Sequence, residues 1–176
     1  MVTMNSPTLL AIDEIRKEGM RPQVVGCFVY NKKVLFVYSE EYSLWQFPQG
    51  GIDNNETISQ AIKREMTEEL GEVFMSRVKE GVTCVGKDSL IFPENKQGSR
   101  AIQTDSGEEI FMLGKTYFFV VLHSTTENLT MAETEFDECM WLPYEQALRL
   151  AQNIYQKGKK RITLVVLEKL REGEYI

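Results

Sequence analysis

Two kinds of hydrophobic pattern alternate along the chain. Residues 24–30 (VVGCFVY) and 33–39 (KVLFVYS) are rich in β-branched and aromatic side chains and are separated by the polar pair Asn31-Lys32. This is the pattern of a β-hairpin. The first run is apolar at nearly every position, as in a strand covered on both faces. Residues 116–123 (TYFFVVLH) predict a further strand, 139–142 a shorter one and 82–85 a weaker one. Helical spacing appears at 58–70, at 143–151 and at 159–170, where Ile162, Val165, Val166 and Leu170 share a face. At the N-terminus, Ser6 as cap, Pro7 at the first helical position and Gly19 as stop predict a helix with Leu9, Ile12 and Ile15 inward. Residues 86–110 are mostly polar and lack a period, and so predict a long loop that is functional or disordered. Strands interleaved with a few helices predict an α/β fold with helices on both faces of a mixed sheet. The expected organisation is a helical extension over 1–19 followed by one domain over 20–176.

Composition narrows the class. A chain of 176 residues suits a single domain, and 43% hydrophobic with 26% charged residues is ordinary for a globular protein. There is no apolar run of about 18 residues and no basic-then-apolar leader, so the expectation is a cytoplasmic protein without a membrane span. Cys27, Cys84 and Cys139 are odd in number and far apart, which favours reduced thiols over disulfides or zinc. His123 is the sole histidine and reads as structural, so a histidine-rich metal site is excluded. A net charge of −6 argues against non-specific nucleic-acid binding.

The chemistry concentrates between Gly50 and Gly71. Thr57 and Gln60 have the spacing of a capping box, and Gly71 supplies a stop in the left-handed conformation. At roughly 100° per residue, Ile58, Ala61, Ile62, Met66 and Leu70 form the apolar side. Glu65 and Glu69 fall within that side and Glu68 at its edge, whereas Lys63, Thr67, Gln60 and Arg64 lie opposite. An acidic run is ordinarily a solvated face; this one is not. Glu65 with Glu69, and Glu68 with Glu72, are like-charged i,i+4 pairs at the end of a helix whose dipole repels anions. Carboxylates beside a core also cost desolvation. A hard divalent cation with oxygen ligands would relieve all three penalties.

Gly50, five residues, Glu56, seven residues, then Arg64-Glu65-Met66-Thr67-Glu68-Glu69-Leu70-Gly71 resembles the Nudix box, the signature of Mg²⁺-dependent hydrolases of nucleoside diphosphates linked to another group. One position departs: Glu72 stands where an aliphatic residue is usual. The resemblance implies an α/β/α sandwich with a mixed sheet. It implies Mg²⁺, with Mn²⁺ as a substitute, held by Glu65, Glu68, Glu69 and the Gly50 carbonyl. One of these three glutamates, Glu65 and Glu69 being the catalytic candidates, or a nearby glutamate would receive the proton of the attacking water, and Arg64 would pair with Glu56 or a neighbouring carboxylate.

Trp45-Gln46-Phe47-Pro48-Gln49-Gly50-Gly51, Met20-Arg21-Pro22 and Glu135-Phe136-Asp137 are similar to one subgroup over roughly residues 20 to 145. It comprises bacterial RNA 5′-pyrophosphohydrolases and dinucleoside polyphosphate hydrolases. By that resemblance Arg21 and Gln49 contact substrate, Glu135 is a further metal-side glutamate, and Ile91-Phe92-Pro93 marks the substrate loop through Pro93. Lys115 is a candidate phosphate contact and Tyr155 a candidate base-stacking ring. Glu94, Glu108 and Glu109 dilute Lys96 and Arg100 in a stretch that is often basic in the RNA-acting members, which weakens the electrostatic case for RNA. The expected function is hydrolysis of phosphoanhydrides in 5′-triphosphate RNA ends or dinucleoside polyphosphates. The alternatives are a hydrolase of nucleotide sugars or oxidised nucleoside triphosphates, and a non-catalytic nucleotide-binding module. No stable protein partner is evident, and the chain is expected as monomer or homodimer.

Overall fold

The computed structural model describes residues 4–176, so residues 1–3 of the expected extension lie outside the described residues. Helix α1 (Leu9–Lys17) starts later than Ser6 and Pro7 suggest. Its cap is Thr8, whose hydroxyl accepts the Ala11 N–H at 3.2 Å. Ile12 is buried and Ile15 half-buried, but Leu9 is 41% exposed, contrary to expectation. The buried face is Ile12, Asp13 and Arg16, two of them charged.

The hairpin of β1 (Met20–Tyr30) and β2 (Lys33–Ser39) turns through Asn31 and Lys32, both at positive φ (47° and 60°), as the tightest hairpin turns require. β3 (Leu44–Gln46) returns along β2, and β4 (Gln49–Gly51) pairs with β1. Next come α2 (Ile58–Leu70), the short α3 (Glu72–Met75), β5 (Thr83–Ile91), a small hairpin of β6 (Ala101–Gln103) and β7 (Glu109–Phe111), and β8 (Gly114–His123). β9 (Glu138–Leu142), α4 (Tyr144–Gln152) and α5 (Lys157–Glu172) complete the chain.

The main sheet runs β3-β2-β1-β8-β5, with β4 against β1 and β9 against β2. β1 and β8 are parallel from Met20↔Gly114 to Val29↔His123, and the other pairings are antiparallel, so the sheet is mixed. Alternation sorts its side chains. Val24, Phe28, Phe118, Val120 and Leu122 pack with Ile12, Ile58, Ala61, Ile62, Met66, Leu70 and Phe74 on one face. Val25, Cys27, Val29, Tyr117, Phe119 and Val121 pack with Ala147, Ala151, Ile162, Val166, Leu167 and Leu170 on the other. This is the three-layer α/β arrangement that the pattern predicts. Fully burying an Ile, Leu or Met side chain contributes about 2 kcal/mol, so Ile58, Ile62, Met66 and Leu70 hold α2 far more firmly than its caps. Gly26 lets α2 approach: a Cβ there would meet Met66 Sδ at 2.5 Å.

Three local expectations change. The capping box at Thr57 and Gln60 is present, but Gly71 lies at φ 90°, ψ 152°, an extended mirror region open only to glycine rather than the left-handed helical one. The chain therefore breaks direction at Gly71, and Glu72 opens α3 instead of pairing with Glu68 on α2. As a first-turn acid it suits the dipole there. The apolar contact comes two residues later, from buried Phe74 edge-on to Phe28 at 5.4 Å. Finally, residues 86–110 are not a structureless loop. β5 continues to Ile91 along β8, a 3-10 turn spans Glu94–Lys96, and β6 and β7 form an arm. From Lys87 to Ile91, β5 alternates exposed with half-buried positions, so Lys87 and Ser89 face water while its backbone pairs and Asp88 meets Arg161 on the other side.

Candidate active site

β4 and α2 meet at the two glycines. Gly50 lies opposite Val24 and Gly51 opposite Gln23, on successive faces of the strand. A Cβ on Gly50 would overlap the Glu65 carboxylate, and one on Gly51 would lie 2.8 Å from Arg21 Nη2. Neither glycine has a positive φ; what they supply is space. An acidic side and a cationic side are thus separated by one two-residue strand segment.

Arg64 ties the loop to the helix. Its Nε and Nη2 donate to the two Glu56 oxygens at 2.9 and 2.8 Å, Nη2 also to the Gly51 carbonyl at 2.9 Å, and Nη1 to Glu65 Oε1 at 2.7 Å. Glu56 in turn accepts the Asp53 N–H at 2.8 Å. Partial burial acts to raise the Glu56 pKa, but the bonds from Arg64 and from Asp53 outweigh it and hold the carboxyl below the usual range.

Glu69 accepts the Gln49 N–H at 3.0 Å, and the Glu69 carbonyl accepts the Glu135 N–H at 3.0 Å, which brings the 134–136 segment against the end of α2. Burial first, then the like charges of Glu65 and Glu135, push Glu69 up to about 8, although the Gln49 N–H and Lys159 act the other way. Glu68 is 59% exposed, with its carboxylate 3.9 Å from Arg64. Among the described residues no three acidic, histidine or cysteine side chains converge on a point as a ready cage. The reason is visible: Arg64 draws Glu65 aside, the Gln49 N–H holds Glu69, and Glu68 leans outward.

The cationic side follows from register. Lys115 on β8 is the partner of Arg21 on β1. Burial, then Arg21 and Arg100, push the Lys115 pKa down. Gln49 presents its backbone to Glu69 and its side chain to Gln46, at 3.3 Å. Pro93 is exposed and lies at the same end of the sheet, because β5 ends at Ile91 opposite Gly114, itself opposite Met20. Tyr155 is 64% exposed at the α4–α5 turn, its hydroxyl donating to the Tyr42 carbonyl at 2.8 Å.

Lys159 is a member that sequence reasoning missed. Its Nζ lies 5.7 Å from the centre of the Tyr117 ring, two residues along β8 from Lys115 on the same face. Burial, then Lys115, push its pKa down to about 8, with Glu69 offsetting part of the shift. A signal was present. Lys157, Lys159 and Lys160 open α5 with no acid in its first turn, where the dipole disfavours cations.

The acidic side fits a divalent cation. Its donors are all oxygens, as Mg²⁺ prefers, and burial together with the charges of Glu65 and Glu135 opposes ionisation of Glu69, a cost that a bound cation would offset. Among the described residues no helix is long and apolar enough to cross a membrane.

Comparison with known proteins identifies the family. Residues 20–164 match the family model described as the NUDIX domain. The RNA pyrophosphohydrolase of Pasteurella multocida is 29% identical over 165 residues, covering 89% of this chain and 80% of that protein. The RNA pyrophosphohydrolase of Haemophilus ducreyi is 28% identical over 167 residues, covering 89% and 81%. Among solved structures, the E. coli dihydroneopterin triphosphate pyrophosphohydrolase superposes with a TM-score of 0.58 at 15% identity, over 85% of this chain and 97% of that one. The NUDIX domain of Shewanella oneidensis NrtR, complexed with ADP ribose, gives 0.56 at 16% identity over 88% of each. These two likenesses concern the fold alone.

Proposed function

The chain belongs to the NUDIX family, and from that premise we propose that it is a pyrophosphohydrolase acting on 5′-triphosphate RNA ends or dinucleoside polyphosphates. The observation that carries this reading is the opposition across Gly50-Gly51. Glu65 lies against one glycine and Arg21 against the other, with Lys115 beside Arg21. A polyphosphate laid across that segment meets carboxylates at one end and cations at the other. A substrate with a single short diphosphate has less need of the cationic end. Two relatives named RNA pyrophosphohydrolase, matched over most of their length, support the same reading.

Hydrolases of this family use a divalent cation, and Mg²⁺, replaceable by Mn²⁺, suits an all-oxygen set. Glu65, Glu68, Glu69, Glu135 and the Gly50 carbonyl would hold it. When bound, it supplies an acidified water and offsets charge on phosphate oxygens. Arg64 keeps Glu65 and the glycine segment in mutual register. Glu65 and Glu69 are the carboxylates available to accept the proton of water. Arg21, Lys115 and Lys159 bind the phosphates that do not react, with Gln49, Pro93 and Tyr155 as further substrate contacts. Arg100, the basic residue that acts on Lys115, retains part of the positive potential diluted elsewhere on the arm. The protein works as monomer or homodimer, residues 20–176 forming the hydrolase domain.

The test is an incubation with Mg²⁺ and a triphosphate-ended oligonucleotide, a dinucleoside tetraphosphate, ADP-ribose and an oxidised nucleoside triphosphate, with product identification. The first two should be cleaved at an anhydride bond. Cleavage confined to the last two would overturn the substrate class while leaving the family chemistry.

A further inference from the structure

The polar side of α1 is buried in a way that hydrolysis by itself does not explain. Arg16 is 3% exposed. Its Nη2 donates to the carbonyls of Ile52 and Asp53, each at 2.9 Å, and its Nη1 to Asp105 Oδ1 at 3.1 Å. Asp13 lies 3.5 Å from the same nitrogen and accepts the Asp105 N–H at 2.7 Å. Asp105, in the β6–β7 turn, also accepts from Asn54 Nδ2 at 2.9 Å and from the Asn55 N–H at 3.0 Å. Three segments remote in sequence therefore close around one guanidinium.

What they hold is the loop between the glycine segment and α2. Arg64 takes the Gly51 carbonyl, and Arg16 takes the next two, Ile52 and Asp53. The Asp53 N–H continues to Glu56, Glu56 to Arg64, and Arg64 to Glu65. Asn55, at φ 56°, completes the turn in a conformation that asparagine tolerates better than most residues. Burying a charged pair adds little net stability, because desolvation offsets the attraction. Its value is geometric.

We propose that Arg16, clamped to Asp105, is a positioning residue for the cation-holding glutamates, acting through the 51–56 loop. This rests on the hydrolase reading above. It gives the N-terminal helix and the β6–β7 arm a shared purpose: they brace from outside the loop that Arg64 braces from inside. Residues that orient metal ligands without touching the metal cost about tenfold to a hundredfold in metal affinity or activity when changed.

The experiment compares wild type, Arg16→Lys and Asn54→Ala in the full chain. Lysine keeps the charge but lacks the planar fork that serves the two carbonyls from one nitrogen and Asp105 from another. Asn54 is exposed, so its loss loosens the arm from the loop without threatening the fold. Three quantities are read: Mn²⁺ affinity of the substrate-free protein, amide exchange of Asn55 and Glu56 without metal, and kcat and KM on the triphosphate-ended oligonucleotide. Arg16→Lys should lose about tenfold in Mn²⁺ affinity and in kcat, with KM little changed and faster exchange at both amides. Asn54→Ala should move the same quantities in the same direction by less. Wild-type Mn²⁺ affinity and kcat in both variants, with only a lowered melting temperature in Arg16→Lys, would reduce α1 to an anchor and overturn the proposal. If wild type cleaves none of the substrates, the functional reading fails separately, and Mn²⁺ affinity and exchange still decide the role of Arg16.

Discussion

Gly50 and Glu65 occupy the same space in turn: the carboxylate fills the position where any side chain at residue 50 would place its first carbon. Gly50→Ala should therefore displace Glu65 or pull β4 from β1. A displacement of about 1 Å in a catalytic group can cost on the order of a hundredfold in rate. The expected outcome is a folded protein with a kcat reduced to that degree, checked by turnover alongside circular dichroism. Near-normal turnover would exclude Glu65 from the reacting centre.

Arg64 makes its bonds as a fork, to both oxygens of Glu56 and to the Gly51 carbonyl. Lysine cannot reproduce that geometry. Arg64→Lys should lower stability by about 1.5–3 kcal/mol, the range for lost hydrogen bonds to charged groups, and lower kcat more than it raises KM. Urea denaturation and steady-state kinetics measure the two effects. An unchanged urea midpoint would mean that the fork is ornamental.

Glu69 predicts how the metal-free protein responds to pH. Its carboxyl is raised from 4.5 to about 8 in the folded chain. Between those values the folded state holds a proton that the unfolded state has released, so stability must fall as pH rises toward 8 and then level. Glu69→Gln should abolish that contribution, be as stable as wild type or more so near pH 8 in chelator, and lose orders of magnitude in turnover. Urea midpoints from pH 5 to 9 in chelator decide it. Parallel profiles for the two proteins would contradict the buried acid.

Divalent cation should reverse the strain among these carboxylates. Ligand that binds only the native state stabilises it by about 2.7 kcal/mol at a hundredfold excess over Kd. Millimolar Mg²⁺ or Mn²⁺ should raise the melting temperature of wild type and raise that of Glu69→Gln less. The absence of a shift in wild type would count against the whole acidic side.

Arg21 and Glu135 separate chain length from chemistry. Arg21→Ala should lower kcat/KM by about tenfold to a hundredfold on a triphosphate-ended oligonucleotide or a dinucleoside tetraphosphate and spare ADP-ribose. Lys159→Met should follow the same order of substrates. Glu135→Gln should lower turnover on all three. Equal losses from Arg21→Ala across the set, with none from Glu135→Gln, would leave only the general family chemistry.

What the sequence determined by itself is what short-range physics controls. The capping box, the apolar side of α2 and the carboxylates beside it are set by 3.6-residue spacing within one helix, and the β1–β2 turn by two adjacent residues. The Nudix resemblance and the layer order followed from the same local signals. Tertiary structure alone decided the rest. Beyond the run at 82–85, β5 is half solvated and mostly polar over 86–91, so its continuation as a strand depends on β8, which pairs with it from far along the chain. Lys159 comes near Glu69 only because α5 lies across the sheet, and Arg16 reaches the 52–53 carbonyls only because α1 and the β6–β7 turn fold over them. Those contacts cost chain entropy that local propensity cannot offset; they form when the core on both faces has already brought the segments together.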